Sequence, residues 1–413
     1  MQLELILSEL GALDTLEVLH PHWEDSLATL PEGELPFLRR EAWQDNRQWL
    51  DMDAAADELF EAVASRINAA PGLRALAWHL MKLSYDYPES PASTKWPSFD
   101  DVFPEGGGVF YLLLGLDAVT RARAEQGRRG IPEEITRATC GDTLIMMHRY
   151  AALNDGRMGL EARGIVWHRV IASGELHRIG RFEYIMRPFR GPVRAYRHCS
   201  EGHLIALCEE GTPFDNEGFS PNNGVEPDWI AHLQQTEDTV TGSIMSPRGY
   251  AVQGEVTLSF EEWEETLVCR DMALEIHIPE GEAMTLEACR DSMGQALEFF
   301  PRHYPDRPFR TFACYSWILN TQLEEMLSEK SNLVNFQHEV YLFPQASNGR
   351  DGLYFLFYQD NVDINTAPRD TTLRRKYLEC LESGGSIRRG GMFFLPEDLP
   401  QFGTQFYRVS QTV

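Results

Sequence analysis

After residue 270 the chain reads strand, helix, strand, and that order leaves few ways to fold. In Ala273-Leu-Glu-Ile-His-Ile278, Leu274, Ile276 and Ile278 fall on one face and Glu275 and His277 on the other, the period of two that a β-strand imposes. Pro279-Glu-Gly281 ends the strand, and Thr285 is positioned to cap a helix whose apolar face is Leu286, Cys289, Met293, Leu297 and Phe300. His303-Tyr-Pro-Asp-Arg-Pro308 then returns the chain to a second strand, Arg310-Thr-Phe-Ala-Cys-Tyr-Ser-Trp317. A crossover of that length joins parallel neighbours with a right-handed turn. A short helix is expected over 322–327. Two strands, 332–343 and 352–359, should follow as an antiparallel hairpin, closed by the turn formers of 344–351. A helix over 369–381 and a strand over 389–395 come last.

The first third is patterned differently. Ala56, Leu59, Phe60, Val63 and Ile67 recur at intervals of three and four, with Asp57, Glu58 and Glu61 outside that stripe, the signature of an amphipathic helix. Pro71-Gly72 stops it, and a second helix runs through Leu73, Leu76, Ala77, Leu80 and Leu83. A third covers 106–126, and Ile131-Pro-Glu-Glu134 opens a fourth with proline and acids in its first turn. From Gly174 the texture becomes strand-like, with Leu176, Ile179, Phe182, Tyr184 and Met186 in imperfect alternation. Segments 193–196, 203–208 and 255–260 continue it as hairpins or a meander, and Glu261-Glu-Trp-Glu-Glu265 reads as a solvated face.

Charge and cysteines limit the function. The chain of 413 residues has 37 Lys and Arg against 63 Asp and Glu, and 37 − 63 gives −26. Such a surface repels nucleic-acid phosphates and anionic membranes, so neither is expected as a partner. The seven cysteines include no C-x-x-C pair, so no zinc ribbon or dithiol site is expected, and a reducing, cytoplasmic setting is. The longest apolar run, Val109-Phe-Tyr-Leu-Leu-Leu-Gly-Leu116, is far short of the ~20 residues that span a bilayer. His20-x-His22 has no third ligand nearby, so no metal is expected. No Walker loop, nucleophile elbow or H-E-x-x-H occurs.

Several segments together resemble a known family. They are Gly130-Ile-Pro-Glu-Glu134, Leu176-His-Arg-Ile-Gly-Arg-Phe182, Pro213-Phe-Asp215, Ile244-Met-Ser-Pro-Arg-Gly249 and Leu274-Glu-Ile-His-Ile-Pro279. Downstream are Phe299-Phe-Pro-Arg-His303, Pro308-Phe-Arg-Thr-Phe-Ala-Cys-Tyr-Ser-Trp317, Gln322-Leu-Glu324 and Tyr341-Leu-Phe-Pro344. As a set they are similar to the bacterial acyltransferase domain-containing proteins, which carry a helical N-terminal region and a GNAT-like C-terminal domain. The resemblance covers about residues 40–395 and implies an α+β chain: a helical domain at 1–160, a GNAT-like mixed sheet flanked by helices at 161–360, and a helix-and-strand segment at 361–413 packed on it. It also implies acyl-CoA as co-substrate, held where two parallel strands splay. The pantetheine arm would pair with the first strand, along Ile276 and Ile278, and the diphosphate would face the helix start at Gly281 and Thr285. The usual Gln/Arg-x-x-Gly-x-Gly/Ala loop is replaced by Pro279-Glu-Gly-Glu-Ala-Met-Thr285 with Glu287 beyond, and these acids repel a diphosphate at close range.

The catalytic candidates come from the paired strands. Glu275 and His277 share one face about 7 Å apart by strand rise, and either is a base for an amine attacking a thioester. Tyr315 is a candidate acid for the departing thiolate and Ser316 a group to orient the substrate; their side chains point to opposite faces, so at most one meets Glu275 or His277. His338 and Glu339 alternate across the expected strand 332–343, and one of them is a cleft candidate. The basic clusters Arg374-Arg-Lys376 and Arg388-Arg389 have two readings, a hold on a nucleotide phosphate and surface helix pairing, of which pairing is the expected one. The expected function is acyl transfer from a thioester carrier to a small-molecule amine. The rival is a non-catalytic GNAT-like module that binds another ligand or a protein. The two differ at 279–285: an enzyme needs open N–H groups there, whereas the module would have the helix start closed by its own carboxylates.

Overall fold

The helix Gly108–Arg128 has almost no polar side in its first three turns: Val109, Phe110, Leu112, Leu113, Leu114, Leu116, Ala118 and Val119 are all buried. A helix apolar all round belongs at the centre of its unit, and Arg40–Trp49, Ala56–Ala69 and Ile165–Ala172 pack against it in the computed structural model. Gly115 permits this, because a Cβ there would lie 2.8 Å from Leu160 and 2.9 Å from His168 Nε2. The structure describes residues 2–359 and 361–409, and the chain divides into two compact units between Ile179 and Gly180. The four helices expected in the first third are present, as Ala56–Ala69, Pro71–Tyr85, Gly108–Arg128 and Glu133–Cys140. The boundary expected at 160 falls before Ile165–Ala172, the last helix of the first unit.

The second unit holds the strands that matter for function. Its main sheet, numbered in chain order, contains β1 (Phe182–Pro188), β2 (Met272–His277), β3 (Thr311–Ser316), β4 (Tyr341–Gln345) and β5 (Arg389–Phe394), which lie in the order β1-β2-β3-β5-β4. β2 and β3 are parallel, and the other neighbours are antiparallel. The crossover helix Leu286–His303 is N-capped by Thr285, whose hydroxyl accepts from Ala288 N–H at 3.2 Å. Ser292 fixes it to the sheet: its Oγ lies 2.8 Å from the Tyr184 hydroxyl and accepts from Phe182 N–H at 3.2 Å.

The expected hairpin does not form. Residues 332–339 are the helix Asn332–Glu339, residues 353–357 the helix Leu353–Phe357, and β4 pairs with β5 instead. Val334, Phe336, Gln337 and Glu339 are buried in the helix Asn332–Glu339; an apolar run this short fits a helix as well as a strand. What selects β5 is cross-strand packing, with the Tyr341 and Phe393 rings stacked 4.8 Å apart. The strand expected at 389–395 is therefore interior to the sheet. Of the expected meander, β1 joins the main sheet. Val193–His198 and Leu204–Cys208 belong to a second sheet with Leu233–Gln235, Thr239–Ser246, Tyr250–Ser259 and Trp263–Leu267. The acidic run lies partly in Trp263–Leu267, an edge strand with Glu264 exposed, where charge discourages pairing with another chain. No helix of the described residues is long and apolar enough to cross a membrane.

Candidate functional site

The parallel pair opens partway along. β2 pairs with β3 at Ala273–Thr311, Leu274–Phe312 and Glu275–Ala313 and then parts from it, although β2 runs on to His277 and β3 to Ser316. The opposite edge of β2 remains paired with β1 as far as His277–Glu183. The Met272 carbonyl accepts from Arg310 N–H at 2.7 Å, so the even-numbered residues of β2 turn their backbone polar groups toward β3. Ile276 is the first even residue past the last pair, and its C=O faces the gap. Ile278 follows on the same side, beyond the strand end.

On one face of this gap the side chains converge. Glu275 is opposite Ala313, so Tyr315, two residues further along β3, shares the face of Glu275 and His277. Arg190, in the turn after β1, ties them together. Its N–H donates to Tyr315 Oη at 2.6 Å and its Nη2 to Glu275 Oε2 at 2.8 Å, with the guanidinium 4.7 Å from the Tyr315 ring centroid. His277 Nε2 is 3.4 Å from Glu275 Oε1. Burial pushes the Glu275 carboxyl up, but His277, Arg190 and Arg187 outweigh it and hold the group below its ordinary value. Burial, helped by the charge of Glu275, pushes the Tyr315 phenol to about 12 against the opposing pull of Arg190, so it keeps its proton at neutral pH. A carboxylate, an imidazole and a protonated phenol at the rim of an opening can take a proton at one point and give one at another.

The remaining candidates are arranged differently. Ser316 lies on the other face, and its hydroxyl accepts from Ile318 N–H at 3.4 Å, capping the turn Trp317–Leu319. Ile276 is buried. Gly281 has φ +135°, and a Cβ there would meet nothing within 4 Å. The N–H groups of Leu286 and Glu287, in the first turn after Thr285, have no hydrogen-bond partner among the described residues, and no carboxylate closes the helix start. Of the loop acids, Glu280 Oε1 accepts from the Tyr358 hydroxyl at 3.3 Å. His338 and Glu339 are on the helix Asn332–Glu339 rather than a strand. His338 Nε2 is 3.0 Å from Glu324 Oε1, and Glu339 Oε2 accepts from Gly403 and Gln405 N–H at 2.7 and 3.0 Å. The Arg374 guanidinium lies on Asp370 and Lys376 on Glu379, surface pairs within one helix turn. Among the described residues no group of three or more His, Cys, Asp or Glu is arranged to hold a metal.

Arg190 was not a candidate from the sequence. Its only signal was a basic residue in the tight stretch Pro188-Phe-Arg-Gly191. Its role depends on the pairing of β1 with β2, which brings that turn beside Glu275.

Comparison with known proteins places the two parts of the chain in known domain families. The N-acyltransferase N-terminal domain matches residues 44–174, and the GNAT-like C-terminal domain matches residues 176–394. Among solved structures, the chain is similar to an acyltransferase mutant in complex with octanoyl-CoA (18% identity, TM-score 0.63). It is also similar to acyltransferase structures with CoA and 10C-teicoplanin (18%, TM-score 0.61) and with decanoyl-CoA and teicoplanin (18%, TM-score 0.60). Each of these alignments covers 96% of this chain and 99% of the other. At that identity the likeness is one of fold. No protein of curated function matches the sequence.

Proposed function

Because this chain belongs to the family that joins an N-acyltransferase N-terminal domain to a GNAT-like C-terminal domain, we propose that it moves an acyl group from acyl-CoA to an amine of a small molecule by direct attack. The observation that carries this reading is the parting of β2 and β3 after Glu275–Ala313, with Glu275, His277 and Tyr315 on one face of the gap. The pantetheine arm would add to the open edge at Ile276 and Ile278, as a peptide strand adds to a sheet edge. The diphosphate would meet the N–H groups of Leu286 and Glu287, where the helix dipole favours an anion and Gly281 leaves room. Thr285 positions that helix start by its cap.

In the transfer step the amine nitrogen bonds to the thioester carbon and the carbon–sulfur bond breaks. His277 takes the amine proton, and the ionised Glu275 stabilises the imidazolium that results. Tyr315 gives its proton to the departing thiolate. Backbone N–H groups of the first strand polarise the thioester carbonyl. The acceptor class we favour is an amine-bearing glycopeptide, since structurally similar acyltransferases were solved with teicoplanin. Ser316, occupied as a cap, has no part in this scheme.

Calorimetric titration with acetyl-CoA, decanoyl-CoA and free CoA tests the reading. Saturable binding of a thioester at about micromolar Kd, competed by CoA, is the expected result. No heat from any thioester would overturn it and leave the non-catalytic module.

A further inference from the structure

The turn after β1 is held in place without help from the Arg190 side chain. Phe189 is 0% exposed, and its ring stands edge-on to Phe343 at 6.0 Å and to Phe393 at 6.2 Å. Its N–H donates to the Asp271 carbonyl at 2.7 Å, and its own carbonyl accepts from Arg270 N–H at 2.9 Å. Gly191 closes the turn on that ring, since a Cβ there would lie 2.2 Å from Phe189 Cζ. Arg190, between the two, has its N–H fixed by this anchor while its side chain is 63% exposed.

A phenol can donate or accept a hydrogen bond, and at Tyr315 the turn decides which. Tyr315 Oη accepts from Arg190 N–H at 2.6 Å. With a donor on one side of the oxygen, the phenol's own proton turns to the other, away from residues 189–191. Glu275, the carboxylate on the same face, is engaged at both oxygens: Oε2 accepts from Arg190 Nη2 at 2.8 Å, and Oε1 is 3.4 Å from His277 Nε2. The phenol proton is thus left for a group entering the gap. Burial and the charge of Glu275 push the phenol up, and the Arg190 N–H and guanidinium pull it back. A phenolate formed here would receive a charge-assisted hydrogen bond from the same N–H, with the guanidinium 4.7 Å from the ring centroid.

We propose that Arg190 is a positioning residue for acyl transfer: it presents the Tyr315 proton to the departing thiolate and holds Glu275 as the ionised partner of His277. This rests on the acyl-transfer reading above and adds to it the residue that couples the base to the acid. The protons balance. The amine nitrogen loses its proton to His277 as it bonds to the thioester carbon; the carbon–sulfur bond breaks, and sulfur leaves with the proton of Tyr315. The imidazolium then returns its proton through solvent to the phenolate, and both groups are reset. Arg190 itself moves no proton. It works through two side chains on the strands that flank the gap, Glu275 of β2 and Tyr315 of β3.

The first readout is the Glu275 carboxyl, titrated in the full chain by NMR of its labelled carboxyl carbon and assigned by the signal lost in Glu275→Gln. Besides Arg190, the groups on its face are His277 of β2, Glu183 and Arg187 of β1 and Tyr315 of β3, and all stay in place in the Arg190 variants. Arg190→Gln keeps the N–H and loses the charge, so the midpoint should move up; Arg190→Lys should bring it back toward wild type. The second readout is turnover. Arg190→Gln should lower kcat about tenfold, below the roughly 100-fold or more of a direct acid or base, with KM for acyl-CoA unchanged. In Tyr315→Phe the same substitution should cost less, because part of what Arg190 does passes through that hydroxyl. A wild-type midpoint in Arg190→Gln, an unchanged kcat, or an equal loss with and without the Tyr315 hydroxyl would overturn the proposal. The carboxyl titration needs no substrate, so an unmoved midpoint counts against Arg190 whether or not the chain transfers acyl groups. Absence of thioester binding is a separate result: it overturns the transferase reading and the role in transfer with it, while a moved midpoint would stand.

Discussion

His79 in the first unit and Glu275 in the second are both titratable and both buried, and the fold treats them in opposite ways. His79 is 0% exposed, with Nδ1 2.8 Å from Ser26 Oγ and Nε2 2.7 Å from the Leu19 carbonyl. Burial drives its pKa down to about 4 despite the Leu19 hydrogen bond, so it is neutral in the fold. Glu275 is 9% exposed and is kept ionised, by partners that themselves reach solvent: the Arg190 side chain is 63% exposed and that of His277 32%. Each cluster pairs a histidine with an oxygen, and in sequence alone neither announces itself. The difference is access. A histidine whose two nitrogens are engaged inside a closed core has no proton to exchange, whereas a carboxylate and imidazole beside an open strand edge do.

The contrast breaks most readily at His79. His79→Ala should cost about 3 kcal/mol of stability, from the cavity and the polar partners left unpaired, and leave acyl transfer unchanged well below the melting temperature. The wild-type pH dependence has a definite sign. The unfolded histidine takes a proton near 6.5 and the folded one only near 4. The unfolded state therefore binds more protons in that window, and stability falls by about 3 kcal/mol as pH drops through it. Denaturant midpoints at pH 7 and pH 4.5 measure this, and His79→Ala should flatten the slope. A large loss of turnover in His79→Ala with an unchanged midpoint would erase the distinction drawn here.

Next in size are the site residues, where stability and rate should respond in the reverse pattern. His277→Ala should lower kcat about 100-fold, the low end of the span that general acid–base groups contribute, and Glu275→Gln and Tyr315→Phe roughly tenfold or more each, with midpoints near wild type at pH 7. Glu275 is held below its ordinary pKa, so whatever it adds to stability is present at neutral pH and is lost as pH falls through the folded value. Wild-type turnover in both Glu275→Gln and His277→Ala would remove the pair from the mechanism.

Much of this was legible because it is local. The alternation at Glu275 and His277, the cap at Thr285 and the long crossover are properties of adjacent residues, and they gave the parallel pair and three of its polar side chains. What was missed depends on partners remote in sequence. β5 enters the sheet between β3 and β4 because Phe393 packs on Tyr341, and no periodicity within 389–395 contains that choice. Arg190 acts through a turn whose place is set by the register of β1 against β2. Ser316 read as a site residue because strand alternation ignores what happens at a strand end, where its hydroxyl was needed as a cap. The basic pairs show the same division: Arg374 and Lys376 find acids one helix turn away, as spacing implied, while Arg389 donates to the Tyr315 carbonyl on the neighbouring strand, a partner that only the assembled sheet supplies.

The smallest expected effect concerns the acids that replace the usual diphosphate loop. Glu280, Glu282 and Glu287 are repulsive on paper, yet Glu280 and Glu282 are exposed, and exposed charges interact by less than about 1 kcal/mol and are screened within about 10 Å at 0.1 M salt. They should weaken acyl-CoA binding without abolishing it, because the unpaired N–H groups of Leu286 and Glu287 still face the ligand. Glu282→Gln should lower KM for acyl-CoA about twofold at low salt, leave kcat unchanged, and have no effect at about 0.5 M salt. A change beyond tenfold, or one that persists at high salt, would mean that this acid is desolvated with the ligand and behaves as Glu275 does rather than as a surface charge. The loop would then close over the diphosphate, and its acids would be part of how the donor is chosen.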